Sequence, residues 1–450
     1  MNIIGQSAIK FAQFAMKVLL LLSASYPVSS ADSATGQVAL SPVELKLLAW
    51  VDRHEDQMLA ELSEHVAINT DTANRAGIDR YRKLLATELQ RLGFSTREVG
   101  SAPLAVLGCS EASVEFADHL VARRVGTATG RILLSGHMDT VFKADDEFQR
   151  LVVGPDGSLR GPGVIDMKGG IVVMLNALRA LAAQGLLSDA NVTVVLNSDE
   201  EMGSLGSRAL LESLATEHDL GLVFEGSIDN RLVRSRKGLG QVRLRVTGRE
   251  SHAGAAHEEG VSANLELAHK VIAIESLTDY SKKLTVNVGV MSGGEKRNTI
   301  PGCAEAYIDL RFPSAQAGKA LVEKIEAIVS TPSSTYAGYP GLPSTELWVS
   351  LHRPVKPVNA RVDELLAEAI GLSQLIGEPI EGTYYSGGGT DGSITQAVGL
   401  PTLDTLGLDG EGAHSSRETT SVKSLLARTK LAAVLIGRSL DKGVSALEHK

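Results

Sequence analysis

Residues of the types that bind metal ions occur at five places in the chain, each in a loop or at the end of a predicted strand. Two of these residues are histidines and the others are carboxylates, a mixture of nitrogen and oxygen donors that suits zinc. In an open α/β sheet, ligands bind beyond the carboxyl ends of the strands, so these loops can converge on one crevice. The side chains are His137 with Asp139, Asp166, Glu200 with Glu201, Glu225, and His414.

Taken singly, each of these residues has an ordinary structural explanation. An acidic pair such as Glu200 and Glu201 usually belongs to a solvated loop. A lone histidine such as His414 is usually a polar surface group, or a core group whose hydrogen bonds are satisfied, rather than a metal ligand. Asp166 precedes a predicted helix, which is the position of an N-cap. Only the combination indicates a metal site.

An alternation of strands and helices must position these loops. Apolar runs and helical spacing predict elements at 131–134 (strand), 167–187 (helix), 192–196 (strand), 204–217 (helix) and 220–224 (strand). This order is typical of a largely parallel sheet covered by helices. Before it, Ser41-Pro42 followed by Glu44 is a helix-start signal, and helical spacing continues to Leu92.

The pattern changes near Gln241, where residues 242–246 alternate between apolar and charged side chains. Alternation of this kind is typical of a half-exposed antiparallel strand. The elements that follow complete a β-α-β-β-α-β order, which is the ferredoxin-like split pattern. The sequence therefore predicts an α/β catalytic domain over 41–241 and 352–442, interrupted by an α+β domain over 242–351.

The chain has 450 residues, with 44 basic and 53 acidic side chains and a formal net charge of −9. This charge gives no electrostatic footprint for nucleic acid. Residues 1–31 are different, because two lysines, a short apolar run and small residues ending at Ala31 are typical of a secretory signal peptide. The alternative is a membrane anchor, but the apolar run is far shorter than the ~20 residues that span a bilayer. We therefore expect a secreted or periplasmic protein that is not attached to a membrane after cleavage.

Cys109 and Cys303 are the two cysteines of the sequence, too few for a disulfide framework or a zinc ribbon. An oxidising compartment would permit them to pair. Their separation in sequence leaves that pairing open.

The chain resembles the zinc-dependent M20 metallopeptidases, most closely the glutamate carboxypeptidase (carboxypeptidase G2-like) branch. The resemblance runs from about Ser41 to the last helix, and its motifs agree in residue type, order and flanking glycines. They are Gly136-His137-Met138-Asp139, the glycine-rich segment around Asp166, Glu200-Glu201, and Gly412-Ala413-His414-Ser415. The resemblance implies a zinc-peptidase-like, mostly parallel sheet domain with an inserted ferredoxin-like lid and dimerisation domain.

The resemblance also implies a role for each candidate residue. Two zinc ions would be bound per subunit, although cobalt or manganese suits the same donors. Asp166 would bridge the two ions with its carboxylate. The peptide bond between Asp166 and Met167 would be cis. The remaining roles are His137 and Glu225 at one ion, His414 and Glu201 at the other, Asp139 orienting His137, and Glu200 as general base.

Further matches lie on the substrate side. By resemblance, His252 of a lid would reach into the active site of a partner subunit and stabilise the oxyanion, so that the active unit is a homodimer. Asn298 and Arg311 would contact a substrate carboxylate, the alternatives being a turn residue and a surface charge. Lys237 resembles a further substrate-side residue, and so does Thr390, which lies in the loop 386–391.

The sequence therefore predicts an exported dizinc hydrolase that cleaves an amide beside a free carboxylate in a small peptide or N-acyl amino acid, releasing a C-terminal residue such as glutamate. An N-acyl amino acid deacylase of the same fold is the alternative. By resemblance, Glu225 argues against the dipeptidase and tripeptidase branches without separating these two. A non-hydrolytic binding protein on the same fold is a third possibility, although no ligand position and no base is missing.

Overall fold

The computed structural model describes residues 39–102, 104–106, 108–109, 112–333 and 341–441. The predicted signal peptide, 1–31, lies outside these residues. Within them, no helix has the length and apolar character needed to cross a membrane.

The described residues form ten α-helices and nineteen strands. The helices are α1 Pro42–Arg53, α2 Glu55–Val66, α3 Arg75–Arg91, α4 Lys168–Ala183, α5 Arg208–Thr216, α6 Ala263–Glu275, α7 Ala315–Ser330, α8 Ala360–Ile376, α9 Asp391–Ala397 and α10 Val422–Asp441. The strands are β1 Ser95–Val99, β2 Leu104–Val106, β3 Ala112–Val114, β4 His119–Arg124, β5 Arg131–His137, β6 Val152–Val153, β7 Ser158–Arg160, β8 Asn191–Asn197, β9 Leu220–Val223, β10 Leu232–Arg236, β11 Gly238–Thr247, β12 Ser251–His252, β13 Thr285–Gly293, β14 Thr299–Ile300, β15 Cys303–Phe312, β16 Ser344–Arg353, β17 Thr383–Ser386, β18 Thr402–Leu403 and β19 Thr419–Ser421.

A six-stranded sheet in the order β1-β4-β8-β5-β9-β18 confirms the predicted, mostly parallel sheet. The pairs β5–β8, β5–β9 and β9–β18 are parallel, whereas β4 and β1 add an antiparallel edge. From β5 the chain crosses to β8 on one side and then returns to β9 on the other. The carboxyl end of β5 is therefore a topological switch point, where loops separate and leave a crevice.

Helix α4 covers this sheet with a fully buried apolar face, and α10 packs against it. Each buried leucine or isoleucine stabilises the fold by about 1.5–3 kcal/mol. The start of α4 lies very close to the end of β9, since a Cβ atom at Gly170 would be 1.9 Å from the carbonyl oxygen of Phe224. Glycine at this position therefore lets the turn that carries Asp166 approach Glu225.

The helical region that begins at Ser41 forms three helices rather than one. Ser41 and Glu44 form the predicted capping box at the start of α1, with the Ser41 side chain accepting from the Glu44 N–H. Breaks in the helical conformation follow at His54 and over 67–74, and the side chain of Asn74 caps α3. This last break carries Thr72 toward the site.

A second sheet has the order β13-β15-β11-β16 and is antiparallel throughout. With α6 and α7 it forms the predicted β-α-β-β-α-β unit, whose strands lie in the order second, third, first, fourth. Its elements begin at Gly238 and end at Arg353, outside the expected limits of 242 and 351. The alternating pattern did not reveal the extra residues because glycines start β11, and a Cβ atom at Gly238 would lie 2.0 Å from the Phe312 ring.

One face of this second sheet packs on α6 and α7, with Val242, Leu244, Ile308, Leu310 and Phe312 in its core. The opposite face carries the alternate residues of the same strands. A disulfide joins this unit to the rest of the chain, because Cys303 at the start of β15 is bonded to Cys109. The pairing that the sequence left open is present.

Candidate active site

His137 and Asp166 meet at the switch point of the six-stranded sheet. His137 is the last residue of β5 and is buried, and its Nε2 lies 3.0 Å from Asp166 Oδ1. Glu225 follows β9, and its Oε1 lies 3.6 Å from the same nitrogen. The predicted convergence of these three side chains is confirmed by these distances.

His414 approaches the other oxygen of Asp166, with its Nε2 3.0 Å from Oδ2. The same nitrogen lies 3.2 Å from Glu201 Oε2. His414 has a φ of 62°, an uncommon backbone conformation for a residue other than glycine. Asp166 therefore lies between the two histidines and offers one oxygen to each.

Asp139 organises the loops around His137. Its carboxylate accepts hydrogen bonds from the backbone N–H groups of Glu200 and Glu201 at 3.2 Å each and from the Thr72 hydroxyl at 2.9 Å. The Nδ1 atom of His137 lies 3.0 Å from the carbonyl oxygen of Asp139 and 3.4 Å from its carboxylate. The imidazole is therefore oriented mainly by the backbone of Asp139, whereas the carboxylate positions the acidic pair.

Glu200 is bound by Arg353, a residue that the sequence patterns did not indicate. Arg353 is buried and donates from Nη2 to the carboxylate and to the carbonyl oxygen of Glu200. Its Nη1 donates to Asp391 at 2.6 Å. Since Arg353 ends β16, the second sheet supplies the cation that contacts the predicted base. A lone arginine before Pro354 carries no signal of such a role.

A glutamate with no predicted role binds the turn that carries Asp166. The buried carboxylate of Glu418 accepts from the backbone N–H groups of Gly163, Ile165 and Asp166 at 3.1, 2.7 and 3.0 Å. The Asp166–Met167 peptide bond is cis, as the resemblance predicted. Glu418 follows His414 by four residues, so one short segment contacts both sides of the site.

The charges of the site favour a bound cation. Burial and the neighbouring Asp166 raise the pKa of Glu201 to about 7, and burial also raises the pKa of Glu225. Hydrogen bonds to Asp166 and Glu201 raise the pKa of His414 to about 11. Protonated imidazoles would thus balance the crowded carboxylates, and a divalent cation supplies the same charge while both nitrogens act as ligands.

The donor set also fits a metal ion in its geometry. His137, Asp166 and Glu201 form one group whose ligand atoms lie within 4.8 Å of one another, and His137, Glu200 and Glu225 form a second. Glu201 Oε1 is buried without a hydrogen-bond partner. A buried carboxylate oxygen of this kind is costly unless a cation or donor pairs with it.

A cleft of about 860 Å³ opens above these residues and also contains Arg311 and Thr390. Arg311 donates from Nε to Asp309 at 2.7 Å. The Thr390 hydroxyl donates to Asp404 at 2.8 Å, and Asp404 in turn accepts from Arg236 at 2.7 Å. Thr390 therefore positions a buried ion pair at the wall of the cleft.

Three predicted substrate-side residues are not among those that line this cleft. His252 is exposed on β12, where its Nδ1 accepts from the backbone of Gly254 and Ala255. Asn298 is also exposed, and its carbonyl oxygen accepts from the Ala253 N–H at 3.0 Å. Lys237 is half-buried beside the cleft.

Comparisons with known proteins agree with this geometry. Residues 133–438 match the model of peptidase family M20/M25/M40. Carboxypeptidase G2 of Pseudomonas sp. (strain RS-16) is 30% identical over 382 residues, which cover 84% of this chain and 88% of that protein. Acetylornithine deacetylase of Proteus mirabilis (strain HI4320) is 28% identical over 377 residues, which cover 80% and 89%. A tripeptidase structure from Staphylococcus aureus subsp. aureus Mu50 is 22% identical, with a TM-score of 0.67 and coverage of 86% of this chain and 99% of that chain.

Proposed function

The chain belongs to peptidase family M20/M25/M40 and is a metal-dependent hydrolase of peptides or acyl amino acids, and we propose that it is an exported dizinc carboxypeptidase. In this proposal it cleaves an amide bond next to a free carboxylate and releases a glutamate-like C-terminal residue. The position of Asp166, with one oxygen toward His137 and the other toward His414, is the observation that carries the proposal. A carboxylate so placed is suited to bridge two metal ions.

The proposed ligands divide between two zinc ions. His137 and Glu225 would hold one ion, His414 and Glu201 would hold the other, and Asp166 would be shared by both. When bound, such a pair of ions activates a water molecule and polarises the carbonyl of the substrate.

Glu200 accepts the proton of the attacking water and returns it to the leaving amine. One of its carboxylate oxygens is bound by Arg353, which leaves the other oxygen free to accept that proton. Burial raises the pKa of Glu200 well above its usual range, against the lowering effect of Arg353. A raised pKa makes this carboxylate a stronger base for the first transfer.

The carboxylate of the substrate binds Arg311 in this proposal. Arg311 lines the same cleft as the metal-binding residues, and its Nη2 makes no described hydrogen bond. A guanidinium can bind a carboxylate through two parallel hydrogen bonds, which is the recognition that C-terminal cleavage requires. The 30% identity with a carboxypeptidase supports this substrate class.

A homodimer is part of the proposal. His252 and Asn298 are exposed and are not among the residues that line the cleft of their own chain. The outer edge strand of the second sheet, β13, is exposed over most of its length, and Ile272 of α6 is 70% exposed. An open strand edge beside an apolar helix surface is suited to symmetric pairing, which would carry His252 toward the other subunit.

Export is supported by the composition of residues 1–31 and by the Cys109–Cys303 bond, because disulfides persist in oxidising compartments. Detection of the mature chain in the periplasm or medium, with its amino terminus near Asp32, tests this part of the proposal.

The enzymatic proposal is tested by measuring zinc per chain and glutamate release from N-acyl-glutamates and peptidyl-glutamates, with and without a chelator. We expect two zinc ions per chain and turnover that disappears on chelation and returns with zinc. Metal-replete protein that hydrolyses no substrate of this panel would refute it.

The alternative function is an N-acyl amino acid deacylase. The 28% identity with acetylornithine deacetylase favours it. The same panel separates the two functions if short acetyl and long peptidyl groups are compared on one amino acid. A deacylase prefers the acetyl compound, whereas a carboxypeptidase accepts the peptidyl compound.

A further inference from the structure

A second cavity, of about 190 Å³, lies between the end of α8 and the first turns of α10. None of the described residues that line it also lines the catalytic cleft. Ser424 and Arg428, one helical turn apart, face it from α10, and Ile376 and Ile380 line it from the other side. A cavity of this size has room for several water molecules or for one small organic molecule. We refer to it as the α8–α10 cavity.

Arg428 is a buried cation of this cavity, and its side chain contacts only neutral acceptors among the described residues. It is 3% exposed, and its Nη2 donates to the hydroxyl oxygen of Ser227 at 2.6 Å and to Asn230 Oδ1 at 3.1 Å. Its Nη1 donates to the carbonyl oxygen of Thr405 at 3.3 Å. Burial lowers the pKa of Arg428 to about 10, against the raising effect of Asp409. A cation with a contacting carboxylate would not be lowered in this way, so the charge of Arg428 is incompletely balanced.

Asp409 is an anion of the same cavity, and two neutral groups separate it from Arg428. Its Oδ1 accepts from the Ser227 hydroxyl at 3.0 Å and from the backbone N–H of Asn230 at 2.6 Å. Ser227 and Asn230 are also the residues that accept from Arg428 Nη2, so they bridge the anion and the cation. Within the described part of the chain, neither Asp409 nor Arg428 forms an ion pair. Both line the cavity.

The other two charged residues of the cavity compensate each other. Lys423 Nζ lies 2.8 Å from Glu378 Oε2, and the lysine side chain is 74% exposed, so this pair lies toward solvent. The charges without a contacting partner are therefore one cation, Arg428, and one anion, Asp409. Because buried charges are stable when they are paired, the complementary ligand carries one charge of each sign.

We propose that the α8–α10 cavity binds a free α-amino acid, with the carboxylate of the ligand at Arg428 and its ammonium group at Asp409. A guanidinium binds a carboxylate through charge-assisted hydrogen bonds, which are stronger than its present bonds to neutral acceptors. The Oδ2 atom of Asp409 makes no described hydrogen bond and is available to the ammonium group. A zwitterion with its two charges on neighbouring atoms of one carbon meets both requirements at once.

The remaining lining indicates the side chain of this ligand. Ile376, Ile380 and Leu431 contribute apolar surface to the cavity, which favours a small aliphatic side chain. An acidic side chain is disfavoured, because Glu378 lines the same cavity and like charges repel each other. The ligand class is therefore a small aliphatic amino acid such as valine, and the site is separate from the one at which the substrate is cleaved.

The experiment titrates the metal-loaded chain with L-valine, 3-methylbutanoate and 2-methylpropylamine in a calorimeter. The last two compounds keep the aliphatic part of valine, but the first of them lacks the ammonium group and the second lacks the carboxylate. Hydrogen bonds to charged groups contribute enough that we expect valine to bind about 10–100-fold more tightly than either partial ligand.

Three variants assign the binding to this cavity. Asp409→Asn keeps an oxygen for Ser227 and Asn230 and removes the charge, so we expect it to weaken valine binding about tenfold and to leave the affinity for 3-methylbutanoate unchanged. Ala427→Leu fills the cavity without changing a polar group and should abolish the binding of both compounds. Ala86→Leu is the matched control, because Ala86 is a half-buried alanine of α3 that does not line the cavity.

A fourth variant excludes binding in the catalytic cleft. Arg311→Gln removes the group proposed there for substrate carboxylates, so valine binding that persists in R311Q and falls in D409N supports the α8–α10 cavity. Valine binding that is lost in R311Q, or unchanged in D409N and A427L, places the ligand elsewhere and overturns the proposal. A wild-type chain that binds no valine, or binds valine and 3-methylbutanoate equally, overturns it as well.

Discussion

Replacing Glu418 with glutamine tests whether this buried carboxylate positions the Asp166 turn. The carboxylate accepts three backbone hydrogen bonds, two at Oε1 and one at Oε2. A glutamine can place its oxygen at the first position, but its NH2 group then faces the Gly163 N–H. One buried donor loses its partner, at a cost of about 1–3 kcal/mol. Burial raises the pKa of Glu418 to about 7, so above that pH, where the carboxylate is ionised, two charge-assisted bonds also become neutral, each weaker by about 1 kcal/mol. Relief of repulsion between Glu418 and Asp166 offsets part of this sum, so we expect a loss of about 3 kcal/mol in the free energy of unfolding.

The same change is expected to weaken metal binding about 10–100-fold, because groups that orient metal ligands typically contribute that much. Competition with a chromophoric chelator measures the affinity, and urea unfolding of the metal-free protein measures stability. Glu364→Gln is the matched control, since Glu364 is 65% exposed and pairs with Arg361 three residues away. Excess zinc should restore much of the turnover of E418Q. Wild-type zinc affinity in E418Q would refute the reasoning, even if stability fell.

The remaining predictions concern the base, the partner subunit and acid stability. Glu200→Gln should abolish turnover while zinc content stays near wild type, and loss of zinc would indicate that Glu200 is a ligand. Mixing inactive His252→Ala and E200Q chains should restore a clear fraction of activity, because one site of each heterodimer has both groups; an inactive mixture after demonstrated subunit exchange contradicts donation in trans. Burial lowers the pKa of His65 to about 3, of His119 to about 4 and of His352 to about 3. These buried, neutral histidines make their full contribution to stability above about pH 6.5. The contribution is lost as the pH falls toward 4, because in this range only the unfolded chain binds the protons. The free energy of unfolding then falls by up to about 1.4 kcal/mol per pH unit for each histidine. A free energy of unfolding that does not change between pH 6.5 and 5 would contradict this.

The sequence predicted the elements with strong periodicity and the residues that follow them. His137 and Glu225 could be located because apolar runs mark β5 and β9, and parallel strands bring their carboxyl ends to one edge. The pairing of Asp166 with two histidines did not follow from periodicity. It depended on motifs that resemble a family, since a carboxylate ahead of a helix reads equally well as an N-cap.

Arg353 and Glu418 were missed for a physical reason. Each contacts the site through a tertiary approach between segments that are distant in sequence, 153 residues from Glu200 for Arg353 and 252 from Asp166 for Glu418. Neither residue belongs to a pattern of spacing that indicates a functional site. Their burial identifies them, because a buried charge is stable only when it is paired.

The disulfide bears on how His252 can reach a catalytic centre. Cys303 follows β14, and β14 pairs with the strand that carries His252, with His252 opposite Thr299. Cys109, the other half of the bond, belongs to the segment between β2 and β3, and its N–H donates to Glu305 on β15. The segment beside His252 is therefore bonded covalently to the chain before β4, and it cannot swing into its own cleft without moving that part as well. A restraint of this kind leaves the exposed imidazole free to contact a second molecule, and so favours the proposed donation of His252 between subunits over closure within one chain.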